Sequence, residues 1–248
     1  MEKIKVIDIS YAQQKVDFEA VKASGVKAVI IRTGYYGKTD TMFNSHMEGA
    51  IAAGLDIGVY TYIMADNAAQ AAIEARETIS RIDRYRGKIT YPVFCDMENG
   101  KYYNEENFDD NSRTVIIETF CSVISGAGYY PAVYINPAWL EHWVEKDRIL
   151  KNYDIWLAAW TQSADIPTRY NYGQKMWQWG TEAIKGISGS VDSNICYVDY
   201  PAVIRKSGRN FLSDRYLVTA EKEIAAKDLA ATEARLKKLG FTVKAEII

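Results

Sequence analysis

Two carboxylates two residues apart, Asp96 and Glu98, end the apolar run Tyr91-Pro-Val-Phe-Cys-Asp96-Met-Glu98-Asn99. On a strand, successive side chains turn to opposite faces, so this pair shares one face. Like charges held that close do not both ionise cheaply. One pKa is expected to rise while the other stays low, which sets a proton donor beside a permanent anion. Cleavage of a glycosidic bond uses that pairing. An Asp-x-Glu at a strand end could equally cap a helix or face solvent, so the arrangement of the rest of the chain decides between these readings.

The elements that must position the pair alternate. Lys3–Asp8, Ala28–Arg32, Asp56–Tyr62, Pro92–Glu98, Pro131–Ile135, Asp154–Trp160, Lys175–Trp179 and a brief Ser190–Asp192 read as eight strands. The run Ala28–Arg32 is continuously apolar and β-branched up to Arg32, as in a strand buried on both faces. Helical patterns fall at Asp17–Ala23, Phe43–Ala53, Ala68–Ile82 and Ser112–Ser125, with Gly25, Gly54 and Gly126 as stop signals. Alternation of this kind predicts parallel βαβ units closed into an α/β (β/α)8 barrel. The segments Thr161–Gly173 and Gly180–Gly189 show no helical period, so the barrel is expected to be irregular, flattened and short of helices in its second half. An open doubly wound sheet is disfavoured, because the first strand-to-helix loop, Ile9-Ser-Tyr-Ala-Gln-Gln, has no phosphate-binding glycine pattern.

In that arrangement Asp8 closes the first strand, Asp96 and Glu98 the fourth, and Asp192 the eighth. All four acids then sit at carboxyl ends, where barrel enzymes do their chemistry. Singly, Asp8 could cap a turn and Asp192 could form an Asx turn; jointly these readings are poor.

The ordered set Val6-Ile7-Asp8-Ile9-Ser10, Ile30-Ile31-Arg32-Thr33-Gly34, Gly58-Val59-Tyr60-Thr61-Tyr62, Asp96-Met97-Glu98, Val133-Tyr134, Trp156-Leu-Ala-Ala-Trp160, Trp177-Gln178-Trp179 and Val191-Asp192 resembles glycoside hydrolase family 25 over roughly residues 3 to 205. These are the Chalaropsis-type lysozymes, or N-acetylmuramidases, of bacteria and bacteriophage lysins. The resemblance implies a peptidoglycan muramidase that cleaves between N-acetylmuramic acid and N-acetylglucosamine with retention, through an ester or an oxazolinium intermediate. It implies Glu98 as general acid, Asp96 as the carboxylate that supports the developing charge or orients the substrate's 2-acetamido group, and Asp8 and Asp192 as completing acids. It also places Arg32, Tyr60, Tyr134, Trp160 and Gln178 on the substrate groove, whereas Trp177 and Trp179 alternate away from it and read as packing. The chain departs from the family pattern at Thr61, where many relatives carry His, and at Met97, where a small aliphatic residue is usual. The rival functions are a non-catalytic glycan- or wall-binding protein on the same barrel and a chitinase-like hydrolase, which usually shows a longer acidic run before its Glu.

Composition narrows the partners. With 248 residues, 48% hydrophobic and 25% charged, the chain suits one large soluble domain. A net charge of −2 and no basic patch exclude a general polyanion binder, and no apolar run reaches membrane-spanning length. Six Trp and eighteen Tyr suit sugar faces as well as packing. Cys95, Cys121 and Cys196 are odd in number and are expected as buried free thiols; His46 and His142 stand apart, so no zinc site is expected. No metal or cofactor is expected at the acids, since a bound dication would strip the proton donor of its proton. Met1-Glu2-Lys3 leads straight into the first strand with no export signal, which implies cytoplasmic synthesis with phage-type release to the wall, or secretion through a leader outside this sequence.

The catalytic barrel is expected over residues 1–210 and a small C-terminal βαβ segment over 211–248: a strand at Arg215–Thr219, an amphipathic helix at Ala220–Leu239 and a one-faced strand at Phe241–Ile247. Such a unit is too small to stand alone. Wall binding, self-association and a purely structural role are the roles open to it.

Overall fold

The computed structural model describes residues 3–212, 228–238 and 243. Nine strands form one sheet: β1 Ile4–Ile9, β2 Ala28–Tyr35, β3 Lys38–Thr39, β4 Asp56–Tyr62, β5 Val93–Asp96, β6 Pro131–Ile135, β7 Ile155–Ala158, β8 Met176–Ala183 and β9 Ser190–Cys196. Their order is β1-β9-β8-β7-β6-β5-β4-β2, and β1 pairs with β2 to close an eight-strand barrel; β3 is an extra strand hairpinned onto β2.

The first six barrel strands and β8 run parallel, but β9 is antiparallel to both β8 and β1. This corrects the expectation of an all-parallel barrel. The connection Ile184–Gly189 is the reason, because a parallel crossover needs about a dozen residues and this one is a hairpin loop.

Alternation along each strand splits the core in two. Val6, Ile30, Phe94, Trp156, Met176 and Cys196 fill the barrel interior. Ile7, Val29, Val59, Val93, Leu157 and Trp177 face outward into the packing between sheet and helices. Helices cover the first half: α1 Phe18–Ala23, α2 Phe43–Ala53, α3 Ala68–Ile82 and α4 Asp110–Gly126. Asp17, Asn67 and Asp109 cap three of them by accepting from backbone N–H groups. Two short helices, α5 Pro137–His142 and α6 Lys146–Asn152, follow β6; none lies between β7 and β8 or between β8 and β9, as the irregular second half led us to expect.

The far end of the barrel is plugged by α7, Tyr200–Lys206, whose Tyr200 and Ile204 join the inner cluster. Beyond it, the buried Asn210 amide donates to the carbonyls of Ile89 (3.1 Å) and Tyr91 (2.9 Å) and locks the chain to the barrel floor. All three cysteines are buried and free. No helix among the described residues is long and apolar enough to cross a membrane.

The chain divides into two compact units, Met1–Asp214 and Arg215–Ile248. In the second, α8 spans Leu229–Lys238 within the expected Ala220–Leu239 helix. The expected strands Arg215–Thr219 and Phe241–Ile247 lie, apart from Val243, outside the described residues.

Candidate active site

A pocket of about 490 Å³ opens at the carboxyl ends of the parallel strands, and all four acids line it. Tyr60, Tyr134, Trp160 and Gln178 share the lining. Each comes from an inward position: Asp8 on β1, Tyr60 on β4, Asp96 at the end of β5, Tyr134 on β6 and Gln178 on β8. The strand β5 stops at Asp96 rather than at Glu98. Glu98 lies just beyond, where its carbonyl accepts from Gly100 N (2.9 Å), so a turn and not a strand presents it. Asp192 is also placed differently from expectation. It sits near the start of the antiparallel β9, directly opposite Asp8 in the register, and reaches the same mouth from the other direction. Directly opposed residues of an antiparallel pair hold their Cβ atoms about 4.5–5.5 Å apart, so like charges there repel.

The two sides of the pocket differ in their hydrogen bonds. Asp8 Oδ2 accepts from Asn194 Nδ2 (2.8 Å) and from Gln178 Nε2 (3.1 Å). Those amides are held in turn, Asn194 Oδ1 by Trp156 Nε1 (2.7 Å) and Gln178 Oε1 by Trp160 Nε1 (3.0 Å). Asp96, 4% exposed, has no partner for Oδ1 among the described residues. The Tyr134 hydroxyl stands 3.1 Å from Gln178 Oε1 and also faces the Glu98 carboxyl, and its single proton can serve only one of them.

Burial drives every carboxyl upward. Asp8 is pushed up to about 7, by burial first and then by Asp192, against the two amide donors. Asp96 rises well above the carboxylate range through burial, then Glu98 and Asp8, with Arg32 offsetting part. Glu98 rises through burial, opposed by a hydrogen bond from Tyr134 and aided by Asp192; Asp192 rises through burial. The sequence pattern predicts one raised and one low member of the Asp96–Glu98 pair. Both rise, because Asp96 is enclosed without donors. Glu98 alone of the four is exposed, through the pocket mouth, although protein surrounds much of its side chain.

Arg32 is the one expected groove residue that does not line the pocket. Its Nε donates to the buried Asp40 Oδ2 (2.8 Å), and its guanidinium lies over the rings of Tyr11 and Tyr35, 5.0 and 5.6 Å from their centroids. Asp40 also accepts from Tyr11 N (3.0 Å) and Met42 N (2.9 Å), so the ion pair is a fixed joint. Trp177 and Trp179 are buried in the outer core, as their alternation implied. The two departures from the family pattern also avoid the chemistry: Thr61 Oγ1 bonds Thr33 and Thr78 (2.6 and 2.8 Å), and Met97 packs in the outer core. Among the described residues, no group of three His, Cys, Asp or Glu side chains is arranged to hold a metal ion.

The structure adds Asn136, Trp156, Ala158 and Asn194 to the site. A signal existed for three of them. Counting by two from Asp192 reaches Asn194, and counting back by two from Trp160 reaches Ala158 and Trp156.

The model of the glycosyl hydrolases family 25 matches residues 7–187. An autolytic lysozyme of Clostridium acetobutylicum is 42% identical over 190 residues, which cover 76% of this chain and 54% of that protein. The modular autolysin LytC of Streptococcus pneumoniae, solved with a synthetic peptidoglycan ligand, superposes with a TM-score of 0.68 at 29% identity over 79% of this chain and 47% of its own. A bacterial lysozyme of Streptomyces coelicolor shares the fold at 18% identity, with a TM-score of 0.66, over 86% of this chain and 100% of its own. The chain spans about half the length of the first two relatives.

Proposed function

Because this chain belongs to glycosyl hydrolases family 25, we propose that its barrel hydrolyses the β-1,4 bond between N-acetylmuramic acid and N-acetylglucosamine in peptidoglycan, with retention at the anomeric carbon and Glu98 as general acid. The observation that carries this reading is the contrast within one pocket: Glu98 is raised and exposed, whereas Asp96 is raised and enclosed. A glycosidic oxygen entering the mouth meets Glu98 first, and a carboxyl whose pKa is raised holds the proton that oxygen needs to leave.

Asp96 would act on the other side of the bond. Asp96 lines the pocket, where its carboxyl would accept the N–H of an N-acetyl sugar. That hydrogen bond would favour the carboxylate, draw the acetamido oxygen towards the anomeric carbon and support positive charge as it develops there. Asp8, fixed by two amides, and Asp192 opposite it supply negative potential to the same oxocarbenium-like state. The related autolytic lysozyme and the autolysin solved with a peptidoglycan ligand support the choice of substrate.

Digestion of purified peptidoglycan tests the proposal. New reducing ends should carry N-acetylmuramic acid by mass, and the β-anomer should appear first by proton NMR. Reducing ends in N-acetylglucosamine, or the α-anomer first, would overturn the assigned bond or the stereochemistry. Wall binding without any release would favour a non-catalytic glycan-binding protein. For the second unit, Arg215–Ile248, we propose wall attachment or self-association. A chain ending at Asp214 should keep its activity on soluble glycan and lose retention on whole walls or its oligomeric state; failure of the barrel to fold would make that unit a structural element instead.

A further inference from the structure

A pocket of about 490 Å³ has the size of a site for a drug-sized ligand and takes only a few sugar rings, while a glycan strand is many rings long. On the β1, β2 and β4 side of the mouth, tyrosine rings continue outward from the acids. Tyr62 stands nearest, with Asp96 and Glu98 both acting on its hydroxyl. Tyr35 packs edge-on against Tyr62 at 5.9 Å and against Tyr36 at 4.5 Å. Arg32, pinned by Asp40, carries its guanidinium over the rings of both Tyr35 and Tyr11.

Tyr11, Tyr35 and Tyr36 are 54%, 45% and 52% exposed. Single exposed aromatics are ordinary, but here neighbouring rings are exposed and yet held in place by a buried ion pair. Rings that are fixed before contact lose little freedom when a ligand stacks on them.

The backbone gives a second, independent sign. The β2–β3 hairpin turns on Tyr36 and Gly37, both at positive φ (51° and 68°), the signature of a two-residue type I′ turn. Asn-Gly is the favoured pair there, and a bulky residue in that conformation is strained. A ring kept at a strained turn tip beside a site marks a position held for function.

We infer that Tyr11, Tyr35, Tyr36 and Tyr62 form a shelf that stacks on sugar rings beyond the cleaved bond, so that affinity depends on the length of the glycan chain. This inference rests on the proposed glycan-binding function of the pocket and goes beyond it by locating where the rest of the strand lies.

Tyr36→Asn tests it, because Asn-Gly relaxes the turn while removing the ring. In a Glu98→Gln background, binding of peptide-free glycan chains of graded length would be measured. Long chains should bind about 3–10-fold more weakly than to the protein with Tyr36 intact, the range expected for loss of one aromatic contact. Chains short enough to fill only the pocket should bind equally, and the thermal midpoint should hold or rise. Tyr35→Leu should weaken long chains likewise. Unchanged long-chain affinity in both variants overturns the shelf, and so does a parallel loss of short-chain binding with a lowered midpoint, which would show a structural role. If Glu98→Gln cleaves normally, the acid assignment fails, yet the ratio of long- to short-chain affinity still decides the shelf.

Discussion

Asp8 and Asp96 are both buried and both raised, but the protein treats them oppositely. Asp8 sits on the antiparallel seam between β1 and β9 and accepts from two amides, each of them tied to an indole. Asp96 ends a parallel strand and keeps an unpartnered oxygen. An unsatisfied buried polar atom costs about 1–3 kcal/mol, so the two sides also differ in stability. One side of the pocket is complete in the free protein. The other keeps an enclosed oxygen without a donor, and what distinguishes the two is whether neighbouring strands carry amides at the inward positions of the same layer.

The largest effect should come from the incomplete side. Glu98→Gln keeps the shape and cannot deliver a proton, so turnover of peptidoglycan should fall by roughly 10²–10⁴-fold with little change in binding. The wild-type rate should be bell-shaped in pH, with an alkaline limb that follows Glu98, and in the variant that limb should vanish. A substrate whose leaving group departs without protonation should recover most of the rate. Near wild-type turnover of peptidoglycan by the variant would break the contrast at its centre.

On the complete side the larger cost should be in stability. Asn194→Leu removes one donor to Asp8 and leaves the Trp156 indole N–H without its acceptor. Losing these buried bonds should lower stability by about 2–3 kcal/mol at pH 7 by urea unfolding, more than a surface amide would. A change within error would show that the amide chain is not what holds Asp8.

A smaller effect of opposite sign should follow from Asp8 itself. Its pKa rises from 3.8 unfolded to about 7 folded, so between those values the native state binds more protons and stability falls as pH rises. This penalty is absent below about pH 4 and complete above about pH 7. Asp8→Asn removes it. The shift corresponds to roughly 4 kcal/mol, part of which is offset because the new amide NH₂ is buried facing the Asn194 and Gln178 donors, so the variant should gain about 1–2 kcal/mol at pH 7 while losing activity, with the gain shrinking towards pH 4. A gain independent of pH would show that ionisation of Asp8 is not its source.

The strand pattern, the helix-poor second half and the four acids were legible because each follows from local period and composition. Counting by two separates Val6, Ile30 and Phe94 from Ile7, Val29 and Val93 without any tertiary knowledge. Other features depend on pairing. The direction of β9 turns on the length of Ile184–Gly189, a cue present in the sequence that the barrel pattern overrode. The removal of Arg32 from the pocket depends on Asp40, brought back by the β2–β3 hairpin, whose Tyr36-Gly37 turn lacks the usual Asn-Gly signal. The rise of Asp96 reflects burial first and then Glu98 and Asp8, with no donor from a neighbouring strand to oppose it, and an enclosure of that kind is visible only once the strands are assembled.

The smallest expected effect lies where the two sides meet, at the Tyr134 hydroxyl. Gln178 Oε1 already accepts from Trp160, so the Tyr134 proton is free to turn to Glu98 when Glu98 ionises. A hydrogen bond to the charged form favours that form and lowers its pKa. Tyr134→Phe should therefore raise the pKa of Glu98 and move the alkaline limb of kcat/KM to higher pH by about half to one unit, in keeping with one hydrogen bond of about 1 kcal/mol. The acidic limb, which reports the other carboxyls, should move less. Activity at the optimum should stay within several-fold of wild type, since the proton donor remains. A shift of the alkaline limb to lower pH, or none, would mean that Tyr134 keeps its proton on Gln178 in both states and belongs wholly to the preassembled side of the pocket.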